Sequence, residues 1–320
     1  MEKALKEILG FIKKADNFLL TAHINADGDA YASVLAVAYL LEVWGKQYRI
    51  VFNDKQPEAK YSFMWGFEKV QSYSPEKDYH FQAAIALDVP SLNRIGDPAK
   101  LLPAREFCVK IDHHPQEEDF ARYSLVNTRA SSTSQLVYEL ISLSGIALNQ
   151  ELATLLFSGI MYDTGRFSFS NASLRAFQIA ADLMRYQVQP SDIANHMFFD
   201  NSFQSMKIIG YGLEHMKSYL DGKLCVIYLP RDVSEEDSHS EIEELANYSV
   251  SIKNVEVGLF IRQVKPDFFK VSFRSKGRVN VNTIARALGG GGHNHAAGCR
   301  FRGDFQTLLS RLIEEVKNNL

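Results

Sequence analysis

The stretch Thr21-Ala22-His23-Ile24-Asn25-Ala26-Asp27-Gly28-Asp29-Ala30 closes one apolar run, residues 18–22, and opens a helical one, residues 30–44. A short apolar run bounded by turn formers reads as a strand buried on both faces, and the Ala- and Leu-rich pattern after it reads as a helix. The turn between them carries an imidazole and two carboxylates, His23, Asp27 and Asp29, which a tight strand-to-helix connection can aim at one point. The same grammar recurs at residues 48–52, 83–87 and 107–111, with helical patterns between. Such alternation predicts βαβ units: an α/β fold whose mostly parallel sheet is flanked by helices and takes ligands outside the carboxyl ends of its strands.

Those ends repeat one chemistry. The run 83–87 ends in Asp88, the run 107–111 in Asp112-His113-His114, and a helical stretch starting at Leu152 ends in Tyr162-Asp163-Thr164-Gly165. Taken singly, an Asp before Gly is a cap or turn residue and a lone His is a core or surface group. Their recurrence at one sheet edge favours a metal site. Mixed oxygen and imidazole ligands suit Mn²⁺ and, less specifically, Mg²⁺, Zn²⁺ or Co²⁺, and the lack of Cys ligands disfavours a structural zinc. With at least four carboxylates and two imidazoles the set has room for two ions. A pair of ions about 3.5–4 Å apart offsets charge on a phosphoryl group during in-line displacement, so the site alone points to phosphoester hydrolysis.

The chain around this site has 320 residues, or two domains at about 150 each, and 46% hydrophobic residues, enough for a core in each. Lys and Arg (35) nearly balance Asp and Glu (38), which excludes the basic excess of a long nucleic-acid groove but leaves small or short anionic substrates open. Cys108, Cys225 and Cys299 lie apart in strand-like runs, as buried thiols of a reducing compartment do. The N-terminal pattern, Leu5, Ile8, Leu9 and Ile12 among lysines, is amphipathic and lacks the core of a secretion signal. No run reaches the ~18 apolar residues of a membrane span. The expected location is cytoplasmic, with no membrane partner.

From 132 to 220 the pattern turns helical, at 135–143, 152–161, 174–184 and 203–219; strand signals return at 224–229, 255–264 and 268–274, with an acidic patch at 234–244 and a last helix at 305–316. We therefore expect a metal-binding domain over 1–190, a helical connector over 191–220 and a smaller α+β domain over 221–320. The last supplies Arg274-Ser275-Lys276 at a strand end, then Gly289 to Gly292, then His293-Asn294-His295. Successive glycines let backbone N–H groups approach an anion closely, although a glycine run alone is equally a flexible loop. Arg129 to Ser134 precedes a helical run, where Ser132 is either part of an anion site or a plain N-cap.

His23-Ile24-Asn25-Ala26-Asp27-Gly28-Asp29, Asp88 before Arg94, Asp112-His113-His114, Asp163-Thr164-Gly165 and Gly289-Gly290-Gly291-Gly292-His293 together resemble, in order and over nearly the whole chain, the motif series of the DHH phosphoesterases with a DHHA1 C-terminal domain. Within that superfamily the length is most similar to the bacterial nanoRNase/pAp phosphatase group. The resemblance implies that His23 and Asp27 bind one metal ion, that Asp29, His113 and Asp163 bind another, and that Asp88 bridges them. It also implies that Asp112 orients an imidazole and that His114 faces the scissile phosphate. Arg274, Ser275, Gly290, Gly291, Gly292 and His293 become substrate contacts, with Asn25, Arg94 and Ser132 as further candidates and His295 as the rival of His293. The implied substrates are oligoribonucleotides of two to a few residues and 3′-phosphoadenosine 5′-phosphate, and a homodimer is compatible. Other readings are a single-strand exonuclease, which is generally longer, a manganese pyrophosphatase, which lacks the glycine-histidine motif, a phosphodiesterase for linear dinucleotides, and a nucleotide-binding regulator without turnover, whose usual mark, a lost metal ligand, is not visible.

Overall fold

The computed structural model describes residues 1–233 and 240–320, so residues 234–239 of the expected acidic patch lie outside the described part. The chain forms two compact units, Met1–Asp200 and Asn201–Leu320, and this break divides the stretch expected to be a connector.

The first unit runs α1 (Glu2–Lys14), β1 (Phe18–Thr21), α2 (Gly28–Val43), β2 (Tyr48–Phe52), β3 (Val70–Ser72), β4 (Ala83–Leu87), α3 (Leu92–Ile95), β5 (Cys108–Asp112), β6 (Tyr123–Val126), α4 (Thr133–Ser144), α5 (Gln150–Asp163), α6 (Leu174–Leu183) and α7 (Pro190–Ala194). Its sheet is parallel throughout, in the order β3-β2-β1-β4-β5-β6. β2 and β4 flank β1, so chain order reverses beside it, and such a switch point opens a crevice at the carboxyl ends of the strands. Alternate residues feed two cores. Phe18, Leu20, Ile85, Leu87, Val109 and Ile111 face the helices, while Leu19, Val51, Ala84, Ala86 and Cys108 pack beneath with Ile95 and Phe120. α2 is buried on nearly every face over its first three turns, which suits an alanine-rich helix apolar all round. β3 and β6, short and half-exposed, were not among the expected strands.

The second unit runs α8 (Phe203–Glu214), β7 (Lys217–Tyr219), β8 (Leu224–Leu229), α9 (Leu245–Val250), β9 (Val257–Lys265), β10 (Phe268–Ser275), α10 (Val281–Ala287), β11 (Gly291–Gly292), β12 (Ala296–Arg302) and α11 (Phe305–Asn319). Its sheet, β11-β12-β10-β9-β8-β7, is antiparallel except for the parallel pair β8 and β9. α10 and α11 cover one face through Ile284, Leu308, Leu312 and Val316, and α8 and α9 cover the other through Ile208, Ile209 and Leu245. The helix expected over 203–219 stops at Glu214. Residues 217–219 instead pair with β8 across a turn at Leu220, Asp221 and Gly222, all at positive φ, and this pairing overrides the local helical pattern. All three cysteines are buried free thiols on strands. Among the described residues no helix is long and apolar enough to cross a membrane.

Candidate metal centre

β1 releases the chain at Thr21, and the next residues make the turn that caps α2. The Asp27 side chain accepts from the Asp29 and Ala30 N–H groups at 3.0 and 3.1 Å, so this carboxylate is an N-cap and still presents itself to the crevice. The Asn25 and Ala26 N–H groups donate to the two oxygens of Asp54, which pins the turn from outside. His23 Nδ1 donates to the Ile24 carbonyl at 2.9 Å, leaving Nε2 toward the carboxylates, 3.4 Å from Asp88 and 3.8 Å from Asp27.

Asp88 stands at the centre. It leaves β4 with φ 56°, a left-handed conformation uncommon for Asp, held by its N–H on the Ile111 carbonyl. Its carboxylate, 2% exposed, accepts from the Thr133 hydroxyl at 2.9 Å and lies 3.5 Å from His113 Nε2 and 3.6 Å from His114 Nδ1. His113 Nε2 is 3.0 Å from Asp163, delivered by the last turn of α5. Asp112 is wholly buried and accepts from His114 twice, at Nδ1 (2.8 Å) and at the backbone N–H (3.1 Å). Asp29 is wholly buried too, and its two oxygens accept the Thr133 and Ser134 N–H groups at 2.6 and 2.9 Å, so the N-terminus of α4 clasps this carboxylate. Ser132 is buried and accepts from the Gln135 N–H; of its two readings, the cap describes what the structure holds. That the Thr133 hydroxyl serves Asp88 and that Asp54 pins the turn escaped sequence reasoning, because a hydroxyl at a helix start or an acid in a loop carries no local mark of a partner far along the chain.

Two groups in this cluster, His23-Asp27-Asp88 and Asp29-Asp88-His113, each bring three ligand atoms within 4.8 Å of one another, and Asp88 belongs to both. Charge explains what they fit. Burial opposes protonation of His23, yet Asp27 and Asp88 hold its pKa well above the ordinary value; Asp163, Asp88 and Asp29 do the same for the buried His113. Burial first, then Asp88 and Asp163, push Asp29 well up, and burial raises Asp163. Asp88, despite burial, is held below the carboxylate range by the imidazoles. The cluster carries more negative charge than its own bases neutralise, and divalent cations meet that need with oxygen and nitrogen ligands.

The remaining candidates come from other elements. The Arg94 carbonyl accepts the Ile24 N–H at 2.7 Å and its side chain is exposed. In the second unit one end of the sheet gathers the rest. Arg274 donates to Asn247 Oδ1 and to its neighbour's carbonyl, and the Ser275 hydroxyl donates to the Val279 carbonyl and lies 3.0 Å from His295 Nδ1. The glycine run is folded into secondary structure and is not an open cradle. The Gly289 and Gly290 amides donate to carbonyls of α10, Gly291 and Gly292 pair with β12, and the His293 N–H closes the hairpin on the Ala296 carbonyl. Glycine is required by that close approach: a Cβ at Gly292, φ 146°, would lie 2.6 Å from the Ala296 carbonyl oxygen.

A doubly wound parallel sheet that gathers carboxylates and imidazoles at its switch point, followed by a separate mixed-sheet unit, defines a two-domain α/β protein equipped for divalent cations. The chain belongs to the DHH family: the family's N-terminal domain matches residues 17–160 and the DHHA1 domain matches residues 221–318. The bifunctional oligoribonuclease and PAP phosphatase NrnA of Thermus thermophilus is 30% identical over 304 residues, covering 94% of this chain and 89% of that one. The protein of the same description from Bacillus subtilis is 30% identical over 297 residues, 91% of each. The crystal structure of an exopolyphosphatase-related protein from Bacteroides fragilis shares the fold, with a TM-score of 0.89 at 25% identity over 99% of this chain and 96% of that one.

Proposed function

We propose that this chain is a metal-dependent phosphoesterase that hydrolyses short oligoribonucleotides to 5′-mononucleotides and 3′-phosphoadenosine 5′-phosphate to AMP and phosphate. The observation that carries the reading is the convergence of six ligand-type side chains around Asp88 in a chain related over its length to NrnA proteins. His23, Asp27 and Asp88 would hold one ion, and Asp29, Asp88, His113 and Asp163 a second, with Mn²⁺ the ion proposed. Bound there, divalent cations supply Lewis acidity at the scissile phosphoryl group.

The protein's own groups do the positioning. The N-terminus of α4 fixes Asp29, the Thr133 hydroxyl fixes Asp88, and the Ile24 carbonyl sets the His23 tautomer. Asp112 holds His114 by Nδ1, and we propose that His114 meets the substrate through Nε2, where it would stabilise charge or protonate the leaving ribose oxygen. Arg274, Ser275, Gly290 to Gly292 and His293 are proposed to recognise the substrate, as are Asn25 and Arg94 beside the metal-binding turn.

The test is to incubate the protein with Mn²⁺ and, separately, a ribodinucleotide, long single-stranded DNA, pyrophosphate and 3′-phosphoadenosine 5′-phosphate, and to resolve the products chromatographically. Release of 5′-monophosphates and AMP, with little action on long DNA or pyrophosphate, is expected. Binding of the bisphosphate without turnover under any divalent ion would replace the reading with that of a nucleotide-binding regulator.

A further inference from the structure

β5 carries a lysine where none is expected. Cys108, Lys110 and Asp112 share the face opposite Val109 and Ile111, and the core beneath that face is apolar, with Ala84, Ala86 and Phe120. Lys110 is 1% exposed, and an ammonium so placed must have partners. Its polar contacts are with the Pro90 carbonyl, to which Nζ donates at 2.8 Å, and with Asp112 Oδ2 at 3.5 Å; the Phe120 ring lies 5.4 Å away, and the charges of Glu117 and Glu118 also favour the ammonium.

Both polar contacts belong to the proposed machinery. Pro90 lies two residues beyond Asp88, in the loop whose left-handed start aims that carboxylate. The same loop is laced to the segment after the His113-His114 pair, since the Glu118 N–H shares the Pro90 carbonyl at 3.3 Å and Glu118 accepts the Leu92 N–H at 2.9 Å. Asp112 gives Oδ1 to His114, while Oδ2, wholly buried, makes no hydrogen bond and has the ammonium as its counter-charge.

We infer that Lys110 is a positioning residue for the reaction: its ammonium ties the Asp88 loop to the Asp112 carboxylate and so keeps that carboxylate directed at His114. The inference rests on the roles given above to Asp112 and His114. Removing the ammonium leaves Oδ2 a buried anion without compensation, which turns to find another donor and releases the imidazole. Burial draws the ammonium's pKa below the usual lysine value and Asp112 draws it back.

The experiment compares Lys110→Met, Asp112→Asn, His114→Asn and the double variant Lys110→Met/Asp112→Asn on a ribodinucleotide with Mn²⁺, with Mn²⁺ binding measured by calorimetry. For Lys110→Met we expect kcat to fall about 10–100-fold with KM and the Mn²⁺ isotherm nearly unchanged. The double variant should lose no more than Asp112→Asn alone, because the lysine acts through that carboxylate. Should Lys110→Met fail to fold, the double variant, which removes both charges, decides. Its kcat matching Asp112→Asn supports the inference, and a further loss of about tenfold overturns it. Wild-type kcat in Lys110→Met beside a crippled His114→Asn overturns the role of Lys110 alone. Full activity in His114→Asn overturns the role of His114 and this inference with it. A loss shared by KM, Mn²⁺ binding and melting temperature marks mere packing and also overturns it.

Discussion

Gly159 sits inside α5, where glycine costs about 1 kcal/mol against alanine, and replacing it in an open helix would stabilise the protein by about that amount. Here the opposite is expected. A Cβ at Gly159 would lie 2.6 Å from Asp29 Oδ1 and 2.7 Å from Ser134 Cβ, and closer still to the Ser134 hydroxyl, so α5 approaches the α4 N-terminus and Asp29 too closely for any side chain. Overpacking a buried contact costs about 1–3 kcal/mol. Pushing Asp29 aside also strains two backbone hydrogen bonds to a charged group, worth about 1.5–3 kcal/mol each when intact. Set against the helix gain, Gly159→Ala should lose about 2 kcal/mol, a fall in melting temperature of roughly 4–8 °C for a unit of this size. Turnover should suffer more, by about 100-fold, since a ligand displaced by about 1 Å spoils the site. The control is Gly10→Ala in α1, where nothing lies within 4 Å of the new methyl group and a gain of about 0.5–1 kcal/mol is expected. Calorimetric melting, Mn²⁺ titration and dinucleotide hydrolysis read all three quantities. A Gly159→Ala protein that melts at or above wild type and keeps both Mn²⁺ affinity and turnover refutes the reasoning.

Thr133→Val removes the hydroxyl bound to Asp88 but keeps the shape, and should cost about 10–100-fold in Mn²⁺ affinity or kcat, with Thr133→Ser restoring most of it; calorimetry and steady-state kinetics check this. Chelation should abolish hydrolysis and lower the melting temperature, and Mn²⁺ at about 100 times its Kd should restore about 2.7 kcal/mol, read from melting curves with and without the ion. Arg274→Ala should raise KM for the dinucleotide while leaving Mn²⁺ binding unchanged, because Arg274 is a proposed substrate contact and its guanidinium cannot serve as a metal ligand.

The legible part of the site was written in strand endings. Apolar runs that stop at Asp88 or at Asp112-His113-His114 announce both a buried parallel sheet and the groups set at its edge, since the chain just past a strand enters the crevice. β3 and β6 gave no such signal, being short and half-exposed, and the strand at 217–219 was hidden inside a helical pattern. The glycine run was legible as a place of close approach, and β12 is what the structure packs against it.

What the sequence determined by itself is local chemistry and order along the chain: which runs are buried, which elements alternate, and which acids and imidazoles follow them. These depend on periodicity and on neighbours a few residues apart. Only the tertiary structure decided who holds those groups in place. Thr133 reaches Asp29 across 104 positions and Asp88 across 45, and Lys110 reaches the Pro90 carbonyl from the adjacent strand. A carboxylate's direction is set by donors that long-range packing brings to it, and no local pattern records which donors those will be.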